Sequence, residues 1–163
     1  MSLTEKQQRI YNYLSEISDP EIPVINIVEM GVVRDVLFHD QNLQILLTPT
    51  YSGCPAMDMI DRLILEKLNS KGFDSVEITL VYKPAWTTDW MTYETKEKLR
   101  KYGIAPPVGK TASKKSLLNH EVVSCPQCNS SNTKMKSMFG STACKALYVC
   151  NNCLEPFDYF KCI

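Results

Sequence analysis

Between residues 4 and 17 the apolar positions Ile10, Leu14 and Ile17 recur at spacings of three and four, with Tyr13 alongside. That is the period of a helix burying one face, and Thr4 stands where an N-cap would accept from a first-turn amide. Asp19-Pro20-Glu21-Ile22-Pro23 ends the helix, because neither proline can continue it and each restricts its predecessor. After Gly31 the pattern turns β-rich: Val32–Phe38, the polar run His39-Asp40-Gln41-Asn42, then Leu43–Thr48, together a hairpin. A polar loop, Thr48–Gly53, leads to Pro55, which suits a first helical turn. Met57, Ile60, Ile64 and Leu68 follow at helical spacing as far as Gly72. Val76–Tyr82 predicts another strand, stopped by Lys83-Pro84. Thr88 or Asp89 is placed to cap a last helix through about Tyr102, with Gly103 just past its end.

This order predicts an α+β fold of two layers, helices packed on a small sheet, over residues 1–105. Pro106, Pro107, Gly109 and a Lys/Ser-rich stretch predict a linker over 106–121, leaving a small second domain at 122–163. The chain has 163 residues and 44% apolar composition, too much for a disordered polymer. No uncharged run approaches the roughly 18 residues of a membrane span, and the first residues lack a basic segment followed by an apolar one. The expectation is a cytoplasmic protein with no membrane partner. Its 18 basic and 18 acidic side chains are unevenly spread. Residues 1–102 carry 11 Lys+Arg against 15 Asp+Glu, and residues 103–163 carry 7 against 3. A tail of net +4 is a weak footprint for nucleic acid, so that partner is not expected.

Six of the seven cysteines crowd the second region. With no sign of export, a disulfide framework gives way to metal ligation. Cys125-Pro-Gln-Cys128 and Cys150-Asn-Asn-Cys153 are two Cys-x-x-Cys knuckles separated by 21 residues. Each turn brings two thiolates together, and two turns complete a tetrahedron of soft donors, which favours Zn2+ over iron. The residue after each second cysteine favours a left-handed conformation, which Asn129 adopts readily and Leu154 less so. A closed site of four cysteines reads as structural. Cys144 and Cys162 lie outside the knuckles, and their ordinary role is that of small side chains filling the ribbon.

Cys54 stands alone in the first region, in Thr48-Pro-Thr-Tyr-Ser-Gly-Cys-Pro-Ala56. It sits at or beside the start of the second helix, where unpaired N–H groups favour a thiolate, as metal binding or nucleophilic attack requires. Thr48, Thr50 and Ser52 supply hydroxyls. The plainer alternative is a strand-to-helix turn with a capping cysteine. His39 and His120 are both distant in sequence, so a Cys–His catalytic pair is not indicated. Asp19 and Glu21 read first as turn residues, and Trp86 and Trp90 as core anchors.

Asp19-Pro-Glu-Ile-Pro23, Ile27-Val-Glu-Met-Gly-Val-Val33 and Gly53-Cys54-Pro55 together resemble the SufT-like, MIP-type iron–sulfur assembly domain. The rest of the chain extends the likeness. Gly103-Ile-Ala-Pro-Pro107, the knuckles, Phe139-Gly-Ser-Thr-Ala-Cys-Lys-Ala-Leu147 and the ending Glu155-Pro-Phe-Asp-Tyr-Phe-Lys-Cys162 resemble the PaaD (PaaJ) family, the D components of phenylacetyl-CoA epoxidase systems. The resemblance implies a non-catalytic maturation factor in aerobic phenylacetate degradation. Its clients would be the epoxidase reductase or hydroxylase, and iron–sulfur assembly machinery would load it. It further implies that Cys54 ligates iron or an iron–sulfur cluster transiently, with Asp19, Glu21 and Thr48 lining the region. Cys125, Cys128, Cys150 and Cys153 would hold zinc. One thiolate cannot supply the four ligands a cluster usually takes, so a homodimer or a client would complete the set. The competing expectation is a structural or regulatory adaptor that docks on the oxygenase through its ribbon.

Overall fold

A computed structural model describes residues 4–40, 42–108 and 122–161. The chain divides into two compact units, Met1–Trp86 and Thr87–Ile163.

In the first unit, α1 (Glu5–Leu14) starts at Thr4 with a reciprocal cap. The Thr4 hydroxyl accepts from the Gln7 amide at 3.2 Å, while the Gln7 side chain accepts from the Thr4 amide at 3.0 Å. The helix stops three residues short of Ile17, which is nevertheless buried by the turn that follows. Strands β1 (Val33–His39) and β2 (Asn42–Leu47) form the expected antiparallel hairpin. Helix α2 (Ala56–Asn69) then crosses over to β3 (Val76–Leu80), which pairs parallel to β2. A parallel neighbour needs such a crossover, since a short turn cannot carry the chain back to the strand's starting end. The sheet order is β1-β2-β3. Leu43, Ile45 and Leu47 on alternate positions of β2 are buried with Ile10 and Leu14 of α1 and Ile60, Ile64 and Leu68 of α2. Trp86 closes the unit as a core residue, its indole N–H donating to the Met30 carbonyl at 3.0 Å.

The second unit begins with a 3-10 turn at Thr88–Trp90. The last helix, α3 (Tyr93–Tyr102), is capped by Thr92 rather than Thr88 or Asp89, and Gly103 ends it in the left-handed conformation. Strand β4 (Ile104–Ala105) pairs parallel to β7 (Pro156–Phe160). With β5 (Thr133–Ser137) and β6 (Lys145–Cys150) the sheet order is β4-β7-β6-β5. The compact division therefore falls before α3, whereas composition suggests residue 105, because β4 is an edge strand of the ribbon's sheet. The small core of this unit is Ala105, Val123, Cys125, Ala146, Cys150, Phe157 and Tyr159. Tyr148 stacks on Phe157 at 5.9 Å and meets Tyr159 edge-on at 5.5 Å. Among the described residues no helix is long and apolar enough to cross a membrane.

Candidate metal centre and the cysteine loop

The two knuckles have the same construction. In the first, the Asn129 amide donates to the Cys125 carbonyl at 2.9 Å, and the Cys125 amide to the Ser130 carbonyl at 2.9 Å. In the second, the Cys150 amide donates to the Glu155 carbonyl at 3.0 Å. Asn129 (φ 59°) and Leu154 (φ 64°) both occupy the left-handed region, so the knuckle geometry prevails even at a leucine. Three asparagines bind the knuckles together. Asn151 donates its backbone N–H to the Asn132 carbonyl at 2.8 Å and its amide to Asn132 Oδ1 at 2.9 Å, and Asn132 Nδ2 reaches Asn152 Oδ1 at 3.1 Å. Sequence reasoning missed these. The adjacent Asn151-Asn152 pair inside the second knuckle was their one visible signal.

The sulfurs of Cys125, Cys128, Cys150 and Cys153 all lie within 4.8 Å of one another. Cys125 Sγ is 3.7 Å from Cys153 Sγ, and Cys128 Sγ is 3.5 Å from Cys150 Sγ. A tetrahedron with Zn–S bonds of about 2.3 Å has S···S edges of about 3.8 Å, so the donor set fits. Without a cation the sulfurs compete for protons. N–H groups of Cys153 and Asn152 help hold Cys150 down at about 6. Cys153, despite the Glu155 N–H, is pushed up to about 12 by desolvation and the neighbouring sulfurs. Four thiolates at once therefore call for a metal ion. Cys144 is buried outside this set, with its sulfur 3.0 Å from the Thr142 hydroxyl. Cys162 and His120 lie outside the described residues.

In the first unit, Gly53 (φ 82°) turns the chain into α2; a Cβ there would meet no neighbour, so the backbone angle alone calls for glycine. Pro55 is helical in φ and ψ and makes no side-chain cap, which leaves Cys54 as the residue at the helix start. Its sulfur accepts from the Ala56 N–H and the Thr50 hydroxyl. Burial nevertheless pushes the Cys54 thiol up, and the Glu21 and Asp19 carboxylates add to the rise, outweighing those two donors. The expected thiolate-favouring helix end is thus overridden by desolvation and local negative charge.

Asp19 is 5% exposed, and its Oδ1 accepts from the Glu21 amide at 2.9 Å and the Ile22 amide at 2.8 Å. This aspartate turn fixes the Asp19–Pro23 bend and puts both carboxylates in electrostatic reach of Cys54. Thr48 is buried at the end of β2 and donates its hydroxyl to the Val81 carbonyl at 2.9 Å, so its proton serves the sheet. Thr50, not Thr48, is the hydroxyl on the sulfur. His39 is exposed and pairs with Gln44 at 3.2 Å.

Comparison with known proteins agrees with both halves. Residues 7–80 match the family Iron-sulfur cluster assembly protein, and residues 109–161 match the PaaD zinc beta ribbon domain. An Escherichia coli (strain K12) protein, provisionally described as the D component of 1,2-phenylacetyl-CoA epoxidase, is 51% identical over 154 residues, covering 94% of this chain and 92% of that one. An Fe-S protein maturation auxiliary factor of Porphyromonas gingivalis (strain ATCC BAA-308 / W83) is 34% identical over 92 residues, 55% of this chain and 87% of that one. Among solved structures, the Domain of Unknown Function DUF59 from Bacillus anthracis superimposes with a TM-score of 0.53 at 29% identity, covering 57% of this chain and 90% of that chain. The chain belongs to the PaaD family, the D components of phenylacetyl-CoA epoxidase systems, in which an iron–sulfur-assembly-type domain is joined to a zinc ribbon.

Proposed function

We propose that this protein is a non-catalytic maturation factor that carries iron or an iron–sulfur cluster to a component of the phenylacetyl-CoA epoxidase system. Cys54 is the cargo ligand, in the region of Asp19, Glu21 and Thr48. The observation that carries the reading is the setting of that sulfur: a helix start with two hydrogen-bond donors, flanked by two carboxylates. Such a site keeps its proton until a cation takes its place, and the two nearby carboxylates then favour that cation through their charge.

The cargo is held short of ligands. Among the described residues, the one group of three or more His, Cys, Asp and Glu with ligand atoms within 4.8 Å is the ribbon cluster. A cluster usually takes about four ligands, so the missing ones come from a second copy of this chain or from the client. Under-coordination favours hand-off to a client, the epoxidase reductase or hydroxylase, after loading by iron–sulfur assembly machinery in the cytoplasm. In the ribbon, Cys125, Cys128, Cys150 and Cys153 hold Zn2+, which when bound cross-links the two knuckles and stabilises a unit with a small core.

The test is iron, acid-labile sulfide and zinc per chain after anaerobic purification from cells growing on phenylacetate, for the wild type and Cys54→Ala. Iron and sulfide are expected to fall in the variant while about one zinc per chain remains. A wild type carrying zinc alone, with the variant identical, overturns the carrier reading.

A further inference from the structure

The three-stranded sheet of the first unit finishes its two edges differently. At the β1 edge a bulge between Val33 and Asp35 interrupts the ladder. The Val36 N–H donates to Asp35 Oδ1 at 2.8 Å, and the Val36 carbonyl accepts from Gln7 Nε2 of α1 at 2.9 Å. Bulges and side chains that occupy edge groups keep further strands from adding on. At the opposite edge β3 carries none of these devices. Its register with β2 is unbroken from Val76 to Leu80, and Val-Glu-Ile-Thr-Leu contains neither proline nor lysine.

The bonds that join β3 to β2 fix which groups face away. Leu43 donates its N–H to the Ser75 carbonyl at 3.0 Å, and Val81 donates to the Leu47 carbonyl at 2.8 Å. Backbone groups alternate in direction along a strand, so the odd-numbered residues serve β2. Val76, Ile78 and Leu80 therefore turn their N–H and C=O groups outward. Among the described residues no hydrogen bond reaches these groups. The side chains of the same three residues share a face with the buried Leu43, Ile45 and Leu47. Val76 and Ile78 are nevertheless only half-buried, and Leu80 is 39% exposed. Free ladder groups beside uncovered apolar side chains form a template for one more strand.

The pattern of β3 is complementary to itself. In a two-fold pair the strands run antiparallel, and an axis on Ile78 sets Val76 opposite the partner's Leu80. Every outward N–H then meets an outward C=O, and apolar side chains cover one another. On the other face Glu77 meets the partner's Thr79, so no like charges stand directly opposite. An axis on Glu77 would oppose two carboxylates, and an axis on Thr79 would leave the Val76 groups without a mate in β3. We propose that the protein forms a two-fold dimer through β3, with Ile78 on the axis and the two three-stranded sheets continuous.

Resting on the carrier reading above, the dimer also assigns the ligands that Cys54 lacks. The loop carrying Cys54 leaves β2 at Thr48, whose hydroxyl bonds to Val81 just past the C-terminal end of β3. At the rise of a strand Val81 is about 10 Å from the axis, so the two loops lie at opposite ends of the paired strands, about 20 Å apart. One cluster cannot bridge them, and the client supplies the missing ligands.

The test is analytical ultracentrifugation of the full-length chain over a range of concentrations, with amide hydrogen exchange in β3 read residue by residue. The wild type is expected to dimerise, and the Ile78 amide to exchange about tenfold or more slowly in the dimer than in the dilute monomer. Ile78→Pro removes an outward N–H without touching the ladder to β2, and should weaken dimerisation about tenfold or more. Leu80→Lys puts a charge opposite the partner's Val76 and should weaken it as well; this variant decides the matter if circular dichroism shows Ile78→Pro unfolded. A wild type that is monomeric throughout overturns the proposal, even where an added epoxidase component protects the Ile78 amide. So do folded variants that dimerise like the wild type. Loss of the dimer in Cys54→Ala overturns it too, because a bridging cluster would then be the link. Cys54→Ala that keeps the wild-type iron while still dimerising sinks the carrier reading and leaves the β3 dimer standing.

Discussion

Asp19 is the residue through which the loop's architecture can be tested most directly. Replacing it with Ala removes the acceptor of two backbone N–H groups, at 2.9 Å from Glu21 and 2.8 Å from Ile22. The Ile22 amide is buried and is left without that partner, costing about 1–3 kcal/mol. The Glu21 amide is only partly buried and can be rehydrated, which adds about 0.5–1 kcal/mol. A total of about 1.5–4 kcal/mol follows for the unit Met1–Trp86. For a domain of this size each kcal/mol moves the midpoint by about 4–8 °C, so a loss of about 6–30 °C is expected. Asp19→Asn keeps an oxygen acceptor but not its charge, and should lose about half as much. The assay is thermal unfolding followed by circular dichroism, with zinc content as the control for the ribbon. If Asp19→Ala melts within about 3 °C of the wild type, the aspartate turn does not hold the loop.

The remaining predictions concern Gly140 and Cys54. Gly140→Ala places a Cβ in overlap with the Asp158 carboxylate and 3.3 Å from the Ala146 carbonyl carbon, so the ribbon should lose about 1–3 kcal/mol, read as a lower midpoint for that unit. At pH 8, Cys54 should react with iodoacetamide more slowly than a free thiol, with its rate still rising above pH 9, because its pKa is raised by burial and the carboxylates. Glu21→Gln removes part of that rise, increases the thiolate fraction and should speed alkylation about two- to threefold. An unchanged rate would show that Glu21 does not act on the sulfur.

How far the sequence reached depended on whether a feature is local. The cap at Thr4, the buried stripe of α2 and both knuckles rest on side chains within a few residues of one another, and each is where the pattern placed it. The start of α3 was misplaced because Thr88 and Asp89 do head a helical turn, but only a 3-10 one; Met91 is extended, and Thr92 caps the helix proper. Strand β4 is two residues long and exists only because β7 arrives beside it from more than fifty residues away, a contact no local pattern encodes. At the candidate site, the helix start was legible and favoured a thiolate, whereas the half-burial of Cys54 was not. The opposing charge of Asp19 and Glu21 comes from a loop distant in sequence and required the fold.

The parallel pairing of Ile104–Ala105 with Asp158–Tyr159 changes how the molecule should be dissected. Both flanks of the Pro/Lys-rich stretch, β4 before it and β5 after it, belong to one sheet. A fragment begun at residue 122 would expose the backbone edge of β7 that β4 covers and lose Ala105 from the core. The natural place to cut the chain is just after Trp86.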